Sequence, residues 1–394
     1  MLIDPFGIEM WMNEFEDHCD YNLAETCIKP MSINDLLELS GTNINFYQEI
    51  STMTMTYGAI EGTDRLRTLI ASLFQKKDKQ NVLISHGAIG ANSLVYNALI
   101  SPGDSVTSIM PTYQQHYSIP ESLGAEIKIV QLKADNNFLP DLNELKNSLS
   151  SKTKLISLTN PNNPTGSVIN EDLLARIVEL AISHDAYILC DEVYRGTNQS
   201  GPEYTVSIAD LYDKGISTGS MSKTYSLAGL RLGWIVSSPK ILKMIFRHRD
   251  YNTISVGMIN DYCASIALEN REHISERNIP IIRGNLRILD DWVKKEKRFS
   301  YIKPKGGTTA LLKYDYDTPS RIFCIDILKN TGVLFAPGST LNMEGWIRIG
   351  YANEHLAKGN PEEISHPSYA TSVGLVLRGL KANNFEDMQD ESNS

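Results

Sequence analysis

Seven short apolar runs, separated by stretches with helical spacing, limit what this chain can fold into more than any other feature. They are Val82–Ser85, Val106–Met110, Ile127–Leu132, Leu155–Leu158, Tyr187–Cys190, Ile216–Ser220 and Leu232–Val236. Helical patterns fill intervals around them, as in Arg65–Gln75, Asn92–Leu99 and Asp172–Ser183. Strand–helix alternation of this kind predicts an α/β fold with a mostly parallel sheet covered by helices on both faces. Open sheets of this class bind ligands at the carboxyl ends of their strands. Nearly every chemically distinctive segment of the chain follows directly after one of the runs.

At 394 residues, with 42% apolar and 21% charged residues, the chain is long enough for two domains with sizeable cores. The texture changes near Arg283. A long helix through Asp290-Asp291-Trp292 leads to Lys305-Gly306-Gly307-Thr308-Thr309, a strand start in a smaller α/β unit. The expected division is an N-terminal arm over 1–45, packing on the small domain and covering the active site, a large domain over 46–285, and a small domain over 286–394 with a frayed polar tail. A net charge of −10, without a basic run, argues against nucleic acid as a partner. No apolar stretch approaches the roughly 20 residues that span a bilayer. Five scattered cysteines without a C-x-x-C pair, and eight histidines without ligand spacing, predict neither a disulfide framework nor a metal site. A reducing cytoplasm is the expected location.

Lys223 sits in Ser220-Met221-Ser222-Lys223-Thr224-Tyr225-Ser226-Leu227-Ala228-Gly229-Leu230-Arg231. It follows an apolar run, hydroxyls flank it, and an arginine lies eight residues on. A buried lysine loses its charge readily and then attacks an aldehyde to form a Schiff base. Hydroxyls and a guanidinium suit a phosphate dianion. An aldehyde bearing a phosphate describes pyridoxal 5'-phosphate. Ser85-His86-Gly87-Ala88-Ile89-Gly90 joins a strand to a helix, and the backbone amides of Gly87, Ala88 and Ile89 form an anion site there. Tyr187-Ile188-Leu189-Cys190-Asp191 is a buried strand ending in an acid, with Tyr194 three residues on. A pyridine ring that accepts electrons needs such a carboxylate at its nitrogen.

Together with Thr159-Asn160-Pro161-Asn162-Asn163-Pro164-Thr165-Gly166, Met110-Pro111-Thr112-Tyr113, Tyr57-Gly58 and Trp346-Ile347-Arg348-Ile349-Gly350, these segments resemble the class I/II aminotransferases, which are fold-type I pyridoxal phosphate enzymes. The resemblance runs in order from Tyr57 to Arg348. It implies a fold-type I transferase with Lys223 as the catalytic lysine. It also implies roles for the cofactor-binding residues. Ser220, Ser222, Arg231 and the Gly87–Ile89 amides hold the phosphate, Asp191 faces the ring nitrogen, Asn163 and Tyr194 reach the 3'-oxygen, and Tyr113 stacks on the ring. Tyr57 is implied to reach the phosphate of a partner subunit, which makes the enzyme a homodimer with shared sites. Arg348 is implied as the receptor for the substrate α-carboxylate.

The arm departs from ordinary aminotransferases, which carry a small glycine-containing loop where Asp20-Tyr21-Asn22-Leu23-Ala24-Glu25-Thr26-Cys27 stands. Glu9 and Glu25 lie among apolar neighbours, and a buried acid wants a cation. This arm and Pro111–Tyr117 are similar to those of pyridoxal phosphate enzymes that cyclise hydroxylated arginines, of the capreomycidine synthase and enduracididine cyclase kind. Glu9, Glu25, Thr26, His86 and Asn163 are therefore candidate substrate contacts beside Arg348. Two activities remain open at this point: transamination of an amino acid, and elimination with ring closure on a guanidino amino acid. A non-catalytic regulatory domain of the same fold is disfavoured by the complete lysine constellation.

Overall fold

The computed structural model describes residues 2–41 and 45–352. The expected polar tail lies outside the described residues. Contacts divide the chain into two compact units. Among the described residues the first holds 2–4, Cys27–Pro280 and Pro304–Thr308, and the second holds Pro5–Thr26, Ile281–Lys303 and 309–352. The boundary at Thr26/Cys27 lies within the segment 1–45 expected as the arm.

The first unit is built on a seven-stranded sheet: β1 (Val82–Ser85), β2 (Ser105–Met110), β3 (Glu126–Gln131), β4 (Thr153–Thr159), β5 (Tyr187–Asp191), β6 (Gly215–Ser220) and β7 (Gly233–Val236). The spatial order is β1-β7-β6-β5-β4-β2-β3. Neighbours from β6 to β3 pair in parallel, while β7 runs antiparallel to both β1 and β6. Each expected run matches one of these strands, with Leu132 and Leu232 lying one residue outside the strands they were assigned to. Both faces are buried in the strands inside the sheet, which is why their runs read as continuous apolar stretches rather than alternating ones, whereas the edge strand β3 stays largely exposed. Val82, Ile84, Trp234 and Val236 pack into one core with Leu66, Ile70 and Ile266. Leu83, Ile235, Leu189 and Ile216 point to the other core, with Leu94, Val95 and Ile245.

The register brings the carboxyl ends together. Thr159 stands beside Asp191, Asp191 beside Thr218, and Gly233 beside both Ser85 and Ser220. Gly233 has no alternative there: a Cβ would fall 2.3 Å from the Gly87 carbonyl carbon.

In the second unit, β8 (Phe299–Tyr301), β9 (Thr309–Tyr314), β10 (Ala336–Pro337) and β11 (Trp346–Gly350) form an antiparallel sheet in the order β10-β11-β9-β8. The N-terminal helix Gly7–Phe15 belongs to this unit and buries Ile8, Trp11 and Met12. Each such side chain contributes about 1.5–3 kcal/mol. Trp11 also donates its indole N–H to the Phe335 carbonyl at 2.9 Å, so the buried ring leaves no orphaned donor. Tyr21–Asn22 then pairs in parallel with Val333–Leu334. Among the described residues no helix is long and apolar enough to cross a membrane.

Candidate active site

The helix after β1 starts earlier than its apolar pattern suggests, at Gly87, and runs to Leu99. Its first intrahelical bond is donated by Gly90 to the His86 carbonyl, so the amides of Gly87, Ala88 and Ile89 head the helix without a partner in it. Gly87 has φ of 63°, and a Cβ there would meet Arg231 Nη2 at 3.1 Å. The Arg231 guanidinium therefore lies against the helix N-terminus, where dipole and cation both favour an anion. Arg231 itself adopts a left-handed conformation, φ 48°, after the short turn Ala228–Leu230, and Nη1 donates to the Ala228 carbonyl at 2.9 Å. Ser220 lies nearby in sequence and register, and its hydroxyl accepts the Ser222 amide at 3.2 Å.

The lysine loop is stitched from both ends. Met221 donates to the Leu232 carbonyl, and Leu227 to that of Met221, each at 3.0 Å. Thr224 Oγ1 bonds the carbonyls of Val193 and Arg195, tying this loop to the segment after β5. Asn278 donates to the Thr224 carbonyl at 2.9 Å and to Ser226 Oγ at 3.0 Å. Lys223 at the head of the loop is half-buried. That departs from the expectation of a buried lysine. Its Nζ donates to Cys27 Sγ at 3.2 Å.

Asp191 and Glu192 are adjacent acids, and strand alternation sends them to different environments. Glu192 is fully enclosed and accepts from Ser207 Oγ, the Ile208 amide and Ser217 Oγ. Burial pushes its carboxyl above the usual range in spite of Arg195. Asp191 instead accepts from Asn92 Nδ2 at 2.8 Å and from the Val193 amide at 3.1 Å. His116 Nε2 stands 3.4 Å from its Oδ2, an electrostatic contact rather than an aligned hydrogen bond. On its other side His116 Nδ1 meets Tyr96 Oη at 3.0 Å and Ser157 Oγ at 3.1 Å. The tautomer with its proton on Nε2 faces Asp191 with a donor edge and leaves Nδ1 to accept from a hydroxyl. Burial pushes the Tyr96 phenol well up, so it stays a neutral donor.

Tyr194 is 1% exposed, and its hydroxyl has no hydrogen-bond partner among the described residues. A buried hydroxyl left unmatched costs about 1–3 kcal/mol. Such a group marks a place where a polar ligand atom belongs. Asn163 is 9% exposed in a loop bound to the same region, for Asn160 donates its amide to the Asp191 carbonyl at 2.9 Å. Both Asn-Pro bonds of that loop are cis, as is Met110–Pro111. Asn162 Nδ2 donates to the Pro111 carbonyl at 3.3 Å, and Thr112 and Thr159 share a hydroxyl contact of 2.8 Å, so the Tyr113 turn is fixed to the same loop. An unmatched phenol, a helix N-terminus with an arginine and a braced carboxylate fit the 3'-oxygen, phosphate and ring nitrogen of pyridoxal phosphate respectively.

Other expected residues stand elsewhere. Tyr57 is 69% exposed, and its hydroxyl makes no hydrogen bond among the described residues. His86 precedes the helix as an exposed residue and does not cap it through its side chain. Partial burial, then Arg249 and Arg231, hold its imidazole below the ordinary range.

In the second unit Arg348 is 4% exposed on β11 and donates from Nη2 to the Ala24 carbonyl at 2.9 Å. The arm crosses this strand closely: the Gly350 amide bonds the Leu23 carbonyl at 2.7 Å, and a Cβ on Gly350 would overlap the Glu25 carbonyl. Glu25 Oε1 accepts the amide of buried Thr26 at 2.6 Å. Burial, then Glu25, Asp17 and Glu9, raise the Glu16 carboxyl, so these acids share one electrostatic neighbourhood.

Sequence reasoning missed Asn92, Tyr96 and Ser157 and left His116 without a role. Asn92 and Tyr96 lie four residues apart on one helix, the sole local signal; only the fold brings Ser157 and His116 to them.

The family model for aminotransferase class I and II matches residues 32–358. A pyridoxal phosphate-dependent aminotransferase from Streptococcus suis is 38% identical, with a TM-score of 0.89 over 96% of this chain and 97% of that one. Capreomycidine synthase from Streptomyces vinaceus is 27% identical over 88% of each chain. An aspartate aminotransferase from Thermotoga maritima is 28% identical over 70% of this chain and 73% of its own length.

Proposed function

The chain belongs to the class I and II aminotransferases and is a pyridoxal phosphate-dependent enzyme; from that premise we propose that Lys223 is its cofactor-bearing and proton-transferring residue in a reaction at the Cα of an amino acid. The observation that carries this reading is that strand register and loop hydrogen bonds of the first unit set four groups on adjoining segments: the Lys223 amine, the braced Asp191 carboxylate, the unmatched Tyr194 hydroxyl and the Gly87–Ile89 amides beside Arg231. The cofactor, when bound, supplies an aldehyde for amines and a ring that takes up electrons from Cα.

This chain's residues do the rest. Arg231 and the helix amides neutralise the phosphate, with Ser220 and Ser222 beside them. Asp191 keeps the ring nitrogen protonated, and Asn92 and His116 hold the Asp191 carboxylate. Tyr194 and Asn163 serve the 3'-oxygen, and Tyr113 covers the ring face. Arg348 receives the substrate carboxylate as a bidentate partner. Lys223, once its amine is released, removes and returns the Cα proton as general base and acid. We assign Tyr57 to the partner subunit's phosphate in a homodimer working in the cytoplasm.

A second reading, cyclisation of a hydroxylated guanidino amino acid, is favoured by two observations. Glu9, Glu16 and Glu25 crowd one neighbourhood of the arm, and capreomycidine synthase matches nearly the whole chain. Three acids held together welcome a cationic side chain and repel an acidic one.

Two measurements test these readings. Borohydride should fix the cofactor to the Lys223 peptide in the wild type and to no peptide in Lys223→Ala; labelling of another lysine would overturn the assignment. A substrate screen then separates the reactions. A 2-oxo product from neutral or acidic amino acids supports transamination. Loss of water with ring closure from hydroxyarginine supports the second reading.

A further inference from the structure

The contact between Lys223 and Cys27 has no counterpart in the roles assigned above. Lys223 Nζ donates to Cys27 Sγ at 3.2 Å, across 196 residues of sequence. The pair is held by a frame within the first unit. The Met31 amide bonds the Ser226 carbonyl at 3.1 Å, joining the Cys27 segment to the lysine loop itself. Arg277 Nη2 bonds the Lys29 carbonyl at 3.0 Å, and its neighbour Asn278 holds Thr224 and Ser226. Ile28, beside Cys27, is fully buried. The thiol is thus carried on a segment anchored at the residues that anchor the lysine.

We propose that Cys27 is a positioning residue for Lys223, a soft acceptor that directs the amine without fixing its charge. The inference rests on the assignment of Lys223 as the cofactor-bearing residue. Its physical reason lies in acceptor strength. Sulfur is a weak hydrogen-bond acceptor. A carboxylate at the same distance would form a charge-assisted bond and favour the ammonium, which is not a nucleophile.

The test uses the full-length enzyme loaded with pyridoxal phosphate. The pH midpoint of the near-visible cofactor band is read by absorbance in wild type, Cys27→Ser and Cys27→Asp. Cys27→Asp should raise the midpoint by about one pH unit or more, because an opposite charge at this range stabilises the protonated nitrogen. Cys27→Ser should move it less. A midpoint equal to wild type in Cys27→Asp overturns the proposal.

A second measurement needs no variant. Iodoacetamide labelling, mapped by peptide mass spectrometry, should be slowed several-fold at Cys27 by loading wild-type protein with cofactor, and unchanged at partly exposed Cys19. Equal labelling of Cys27 with and without cofactor overturns the proposal even if Cys27→Asp fails to fold. Borohydride mapping of the same samples separates the two assignments: cofactor fixed to Lys223 with an unmoved midpoint removes the role of Cys27 alone.

Discussion

At the scale of single residues, the group most dependent on its neighbours is Asp191. Its Oδ2 takes a hydrogen bond from Asn92, whose own Oδ1 accepts from Thr218 Oγ1 at 2.7 Å. Asn92 is 1% exposed, so no water replaces these bonds when the amide is removed. Asn92→Ala should lower stability by about 1–3 kcal/mol, because a carboxylate oxygen and a hydroxyl both lose partners in a dry site. The shift of the urea midpoint measures it, and an unchanged midpoint would mean the network relaxes freely. Asp191→Asn tests the chemistry instead of the fold. It removes the counter-charge to the ring nitrogen while keeping the shape, so turnover should fall by about 10²-fold or more. Cofactor affinity should fall less than in Arg231→Ala, which strips the phosphate site of its cation. Retained turnover would mean that another acid serves the ring.

Elements carry the next set of expectations, and both belong to the second unit. Asp290 sits on the long helix Arg271–Lys295 and binds Tyr301 Oη at 2.8 Å and Lys303 Nζ at 2.7 Å, with Lys294 at 2.9 Å. Burial works to raise its carboxyl, but the bonds from Lys303, Lys294 and Tyr301 win and depress it far below the usual range. A depressed acid stabilises the fold fully above its unfolded value, near pH 4, and loses that contribution as pH falls toward the folded value. Asp290→Asn should therefore melt lower than wild type at pH 7. The gap should narrow between about pH 4 and pH 3. A gap constant across this range would show that the helix is tied to Tyr301 and Lys303 by packing alone. In the arm, Glu25 is half-buried beside buried Thr26. Glu25→Gln should weaken binding of arginine-like substrates and leave the cofactor spectrum in place. Calorimetric titration with arginine and with alanine checks it: equal losses for both would remove the basic-substrate reading.

For the whole molecule, the exposed side chains are where the proposed homodimer can be tested. Met55, Tyr57, Tyr251 and Ile254 are 65%, 69%, 96% and 42% exposed. Arg249, fully buried, donates Nη1 to the carbonyls of Ile60 and Ile254, bracing the two loops that carry them. Rigid loops with aromatic tips are costly to leave in water and suited to a two-fold interface. Mixing Tyr57→Ala with Lys223→Ala chains should restore activity. Under random exchange half of the dimers are hybrids with one intact site in two, so recovery should approach about a quarter of the wild-type level. No recovery after proven exchange would place Tyr57 outside the partner's site.

Sequence alone determined the parts governed by local patterns. The inner strands were legible because a sheet buried on both faces needs uninterrupted apolar runs, and the cofactor motifs because each sits at a strand's end, where backbone geometry demands particular residues such as Gly87 and Gly233. It also carried the family, through the spacing of the lysine segment and the Asn-Pro loop. What it left open are pairings between distant positions. Nothing local joins Asp191 to Asn92 and His116, or Lys223 to Cys27; the packing of helices on the sheet brings the first group together, and hydrogen bonds between the Cys27 segment and the lysine loop bring the second. Nor did it find where the arm divides, because Trp11 and the Tyr21–Asn22 strand bind partners more than three hundred residues on. Local sequence fixes which backbone shapes are cheap. Which side chains share a dry site is decided by the packing of the whole chain, where one unmatched polar group costs as much as a well-made bond contributes.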